Sequence, residues 1–133
     1  MKIKKLKKIP VIVLAITIFI LSSFKQRLPT GGEGPPNYFY KIFLMLLHMG
    51  EFGLFAMFLM LGFYPQFKLY FLIGISLLYG VLDEIHQFFI PTRYFDVVDI
   101  LCDSIGTILG VLFCLIIYKA YKRKKRYYEL TCS

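Results

Sequence analysis

Four apolar runs, broken by polar or proline- and glycine-rich stretches, order this chain. They cover about Ile9 to Phe24, Lys41 to Phe63, Lys68 to Ile90 and Val97 to Tyr118. The breaks are clear. Pro29, Gly31, Gly32, Gly34, Pro35 and Pro36 disfavour helix between the first two runs. Tyr64-Pro65-Gln66-Phe67 makes a short turn, Pro91 stops the third run, and Thr92 to Phe95 leads into the fourth. A bilayer-crossing helix needs about 20 mainly apolar residues. The last three runs reach that length. The first is shorter, with Lys8 and Lys25 placed to snorkel from its ends. The pattern predicts an all-α membrane protein: a four-helix transmembrane bundle in a single domain, 1–133. Its spans are 9–24, 41–63, 68–90 and 97–118, and its basic tails are 1–8 and 119–133. A cleaved signal peptide fits less well, because Ile20 and Leu21 precede the small pair Ser22-Ser23 and further spans follow.

Composition points the same way. The chain is 58% hydrophobic and 18% charged, where a soluble domain carries about 25% charged residues. So much apolar surface cannot be hidden inside so small a globule, and lipid is its natural solvent.

The net charge of +8 suggests nucleic acid only until the charges are placed. Lys2, Lys4, Lys5, Lys7 and Lys8 lie at one end, and Lys119, Lys122, Arg123, Lys124, Lys125 and Arg126 at the other. Basic clusters flanking apolar spans mark cytoplasmic ends facing anionic lipid. They argue against nucleic acid and place both termini in the cytoplasm, with an even number of crossings between. The 64–68 turn is then cytoplasmic, and the 25–40 and 91–96 loops face outward.

Three cysteines, Cys102, Cys114 and Cys132, show no metal-ligand spacing. Cys102 and Cys114 are about 18 Å apart along one helix, too far for a disulfide, and read as apolar fillers.

The acids carry more information. Glu51, Asp83, Glu84, Asp96, Asp99 and Asp103 lie in or at the edge of spans, as do both histidines, His48 and His86. Ionisable groups in hydrocarbon are costly and face a polar interior. In the expected topology His48 is about 10 Å and Glu51 about 15 Å below the outer surface. Asp83, Glu84, His86 and Gln87 fall in the outer half of span three, and Asp99 and Asp103 in the outer third of span four. The faces agree. His48 and Glu51 are three apart. Asp96, Asp99, Asp103, Gly106, Thr107 and Gly110 form a stripe of about 100°. Asp83 and Gln87 share a face flanked by Glu84 and His86. Gly106 and Gly110 form Gly-x-x-x-Gly, which lets helices approach closely. Arg93 is the single basic residue between Lys68 and Lys119, and its guanidinium offers a planar fork to carboxylate or phosphate.

The expected site is thus an outward-facing polar pocket of His48, Glu51, Asp83, Glu84, His86, Gln87, Arg93, Asp99 and Asp103, with Gly106 and Gly110 packing helices. Plainer roles compete. Asp96 serves equally as an N-cap and Asp99 as a first-turn acid. The histidines serve as interhelical hydrogen-bond partners. Phe52, Phe55, Phe58 and Phe63 read as packing.

The combination resembles a known family. His48-Met49-Gly50-Glu51-Phe52, Asp83-Glu84-Ile85-His86-Gln87, Pro91-Thr92-Arg93 and Asp99-Ile100-Leu101-Cys102-Asp103-Ser104-Ile105-Gly106, with Gly110 and the earlier Ser22-Ser23, are similar to the VanZ-like family of bacterial membrane proteins. The likeness covers about Ile12 to Leu115. Thr92 stands where that family usually has glycine. The resemblance implies a multi-pass protein of a Gram-positive plasma membrane, linked to the cell envelope. The member that gives the family its name lowers susceptibility to teicoplanin. No catalytic mechanism carries over.

Three functions compete. A binding module would engage an anionic lipid head group, a lipid-linked wall precursor or a lipoglycopeptide in the polar pocket. A membrane enzyme would use His48, Glu51, Asp83, Glu84 and Asp103 as acid/base groups or metal ligands, yet there is no nucleophile motif and no His-Glu-x-x-His. An ion path would need ionisable groups in the inner halves of the spans, which are nearly all apolar. Binding is the expected function. Membrane lipid is the expected partner and no cofactor is expected. No residue is assigned to catalysis, and a metal is left open.

Overall fold

The computed structural model describes residues 8–24, 38–91 and 96–131. The described residues form four helices: α1 (Ile9–Ser23), α2 (Tyr38–Phe63), α3 (Leu69–Phe88) and α4 (Val97–Thr131). Among the described residues there is no strand.

Local chemistry sets the ends. Pro10 sits in the first turn of α1, where its missing N–H is no loss, and Phe24 turns extended to end the helix. Asp96 caps α4, its Oδ1 accepting the Val98 N–H at 2.8 Å. Asp99 lies in the first turn, where the helix dipole favours an acid.

Ile42–Phe63, Leu69–Phe88 and Val97–Tyr127 are each long and apolar enough to cross a membrane. At 15 residues α1 is a shorter apolar helix. It rises about 22 Å, less than a hydrocarbon core of about 30 Å. The fourth helix does not stop at residue 118. It continues through the basic stretch to Thr131 as one helix of 35 residues.

Burial is inverted relative to a water-soluble protein. Phe39, Ile116 and Phe89 are 88%, 65% and 75% exposed, while Asp83, Glu84, Gln87, Asp103, Ser76 and Thr107 are buried. Apolar side chains outside and polar ones inside is what a lipid surround selects.

The helices alternate in direction. Along the α2–α4 seam Met49 faces Gly106, Gly53 faces Gly110, and Met57 faces Cys114. The offset stays at 57 positions, so α2 and α4 run parallel. Pairs between α1 and α3 keep offsets of 64 and 63, so these too run parallel. Between α3 and α4 the pairs Gly80–Asp103 and Ser76–Thr107 step in opposite senses, hence antiparallel. An up-down-up-down bundle results.

One end of the bundle is polar inside. Toward the other, Ala56, Met60, Leu72, Val111 and Cys114 close an apolar core. A second apolar cluster, Val11, Ile18, Phe52, Phe55 and Leu59, joins α1 to α2. Cys102 and Cys114 are free thiols, both buried.

Candidate functional site

The alternating topology brings the start of α2, the end of α3 and the start of α4 to one end of the bundle. His48, Asp83, Glu84, Gln87 and Asp103 come from those three segments. His48 Nδ1 lies 3.5 Å from Asp103 Oδ1, an ion-pair distance longer than a well-formed hydrogen bond. Gln87 Nε2 donates to Asp83 Oδ2 at 2.7 Å, one turn along α3. Glu84 Oε2 accepts the backbone N–H of Asp96 at 3.2 Å, which ties α3 to the cap of α4.

These acids are packed shut. Glu84, Asp103 and Asp83 are 0%, 3% and 5% exposed. Asp83 Oδ1, Glu84 Oε1 and both Asp103 oxygens are buried without a hydrogen-bond partner among the described residues. An unpaired buried acceptor forfeits roughly 1–3 kcal/mol, more when charged. Glu51 and Asp99 sit half-buried within electrostatic range of His48.

Backbone approach makes this geometry possible. A Cβ on Gly106 would overlap the Met49 carbonyl, and one on Gly110 the Gly53 carbonyl. Side chains there would push α4, and Asp103 with it, away from His48. Gly80 clears space differently: a Cβ there would lie 3.3 Å from Asp103 Oδ2 and 3.3 Å from the Phe52 ring. One turn further in, Ser76 and Thr107 share a 2.8 Å hydrogen bond, both fully buried. Below them the interface is apolar, so the polar seam ends blind.

His86 does not join this group. Its Nε2 lies 3.0 Å from Ser23 Oγ, and its ring stacks on Phe19 with centroids 4.3 Å apart. Ser23 spends its one proton on the Phe19 carbonyl at 2.6 Å. Its oxygen is therefore an acceptor toward His86, whose Nε2 carries the proton. That arrangement latches α1 to α3 and does not activate Ser23 as a nucleophile. Arg93, with Thr92, lies outside the described residues, as do the lysines at positions 2–7.

Sequence reasoning overlooked Gly53, Gly80, Ser76, Tyr79 and the Ser23–His86 contact. For Ser76 and Gly80 a signal existed: with Asp83 and Gln87 they form one small-and-polar face of α3. Among the described residues no group of three or more His, Cys, Asp or Glu is arranged to hold a metal ion.

No curated protein and no solved structure matches the chain. The family model for VanZ/LLP1 matches residues 9–118, which takes in α1, α2, α3, the apolar part of α4 and every acid of the cluster. The chain belongs to the VanZ/LLP1 family.

Proposed function

We propose that this protein sits in a bacterial plasma membrane with both termini cytoplasmic. There it binds the polar head of a membrane-anchored envelope ligand at the buried His48–Asp83–Glu84–Asp103 cluster. The ligand is a lipid-linked wall precursor or a lipoglycopeptide, and sequestering it lowers susceptibility to teicoplanin-type antibiotics. One observation carries the reading: two helices deliver carboxyl groups and a third an imidazole to one interior, and Asp83, Glu84 and Asp103 each keep an oxygen without a donor among the described residues. A purely structural network would satisfy its own acceptors. In the expected topology the cluster lies near the outer face, within reach of an outer-leaflet head group, with Arg93 above it for phosphate.

The test is binding of teicoplanin and of a lipid-linked wall precursor to purified protein in nanodiscs. Asp103→Asn and Arg93→Ala should each weaken at least one ligand by about tenfold, the scale of a charge-assisted hydrogen bond. Their apparent melting temperatures should stay near that of the parent. Parent-like affinity for both ligands in both variants defeats the proposal.

A head-group enzyme is the second reading, favoured by His48 standing 3.5 Å from Asp103 in a base–orienter arrangement. Turnover of either ligand that disappears in His48→Gln, with binding retained, would establish it.

A further inference from the structure

Among the described residues the cluster has more buried acceptors than donors: four carboxyl oxygens and one imidazole nitrogen, His48 Nδ1, are buried without a hydrogen-bond partner. Each hydroxyl or amide described along its border already has a partner elsewhere. Gln87 Nε2 donates to Asp83, Ser76 and Thr107 hold each other, and the Tyr79 hydroxyl donates to the Ala15 carbonyl at 2.7 Å. Among the described residues the cation set against Asp83, Glu84 and Asp103 is the imidazole of His48, which lies 3.5 Å from Asp103. Asp83 Oδ1, Glu84 Oε1 and Asp103 Oδ2 are left, each on a side chain at least 95% buried.

An anionic or purely accepting head group cannot use such a site, since like charge in a water-poor interior is repelled. Quaternary ammonium brings charge but no N–H. Sugar hydroxyls bring donors but no charge. A primary ammonium brings both: three N–H donors and a positive charge on one small centre. It is compact enough to meet carboxyl oxygens from two helices. Metal is the weaker candidate, because the described side chains are not arranged to hold one.

We infer that the cluster selects ligands by a primary ammonium group, with Asp83, Glu84 and Asp103 as its acceptors. This deepens the function proposed above and rests on it. The ammonium has two possible sources, an aminated lipid head group or the free amine of a glycopeptide.

The experiment removes the charge without changing the rest of the probe. Purified full-length protein is offered phosphatidylethanolamine against N-acetyl-phosphatidylethanolamine, and an amine-bearing lipoglycopeptide against its N-acetylated form. Retention is read by native mass spectrometry. In at least one pair the free amine should be preferred by about tenfold or more, the scale of a lost charge-assisted contact. Preference in the lipid pair alone, or in the glycopeptide pair alone, supports the inference and names the source. The preference should collapse toward parity in the near-isosteric variants Asp103→Asn and Glu84→Gln. Equal retention within both pairs by the parent overturns the inference and needs no variant to fold. So does a preference that survives both substitutions, or one that appears only in Arg93→Ala, which would make that guanidinium the resident donor. If amine preference is absent while Asp103→Asn still weakens binding, the inference falls and the proposed binding function stands.

Discussion

The two parallel helix pairs of this bundle are held by opposite means. Between α2 and α4 the backbones touch. Gly53, Gly106 and Gly110 remove the side chains that would keep them apart, and the register repeats every four residues from Met49 to Met57. Between α1 and α3 long side chains bridge a wider gap. Tyr79 reaches the Ala15 carbonyl, His86 reaches Ser23, and Phe19 stacks on the His86 ring. Close backbone packing gains dispersion over a whole seam and tolerates no added volume. A few side-chain hydrogen bonds in a membrane are worth about 0.6 kcal/mol each. The difference teaches how the site is built. His48 and Asp103 stand on the fixed seam, so their approach is set by backbone. Asp83 stands on α3 level with Phe19, given the α1–α3 register. The most weakly held helix of the bundle therefore flanks the cluster.

The comparison breaks most readily at the seam. Gly110→Val should have the largest effect, because its side chain would drive into the Gly53 carbonyl. Overpacking of that kind costs about 3 kcal/mol or more where backbone cannot yield. Thermal unfolding in detergent should show a fall in melting temperature of at least about 8 °C, or no folded protein. Gly50→Val is the control, since a Cβ there meets nothing within 4 Å. If both variants melt alike, the seam is not what holds α2 to α4.

Next comes Ser76→Ala, which leaves the buried Thr107 hydroxyl without its partner. The expected loss is about 1 kcal/mol. Ser76→Ala combined with Thr107→Val should recover part of it, because no polar group is then stranded. A double variant less stable than the sum of the singles would show that the hydroxyls serve another partner.

Much of this frame was legible in the sequence, for reasons the particular elements make plain. Apolar runs bounded by Pro65, Pro91 and the 29–36 stretch foretold four helices. The acid-to-glycine stripe of α4 foretold its inward face, since one helix has one phase. Pairings were less visible. Gly53 and Gly80 matter only through the atoms opposite them, and a single sequence does not say which helices touch. Of the two roles expected for His86, the interhelical hydrogen bond holds, and the pocket role suggested by its adjacency in sequence to acids of the cluster does not. Two residues on from Glu84 is about 200° around a helix, and that turn carries it to α1. The end of α4 misled. Hydropathy collapses at Lys119, but Lys, Arg and Ala are good helix formers and nothing there breaks the helix. A charged run that ended the span did not end the secondary structure.

The smallest effects belong to the latched pair, and they sharpen the contrast best. Tyr79→Phe deletes one hydrogen bond and keeps the ring that packs on Phe52 and Phe55. It should lower stability by only about 0.6 kcal/mol. Ser23→Ala, at an exposed contact, should change it by less than about 0.5 kcal/mol. Global melting barely registers such losses, so the informative measurement is local. In hydrogen exchange by mass spectrometry the amides of α1 should exchange faster in both variants, with α2 and α4 unchanged, because a loosely held helix opens without the rest. Were protection to fall equally along α1 and α4, the four helices would open as one cooperative unit. The distinction between a fixed seam and a latched flank would then have no energetic content.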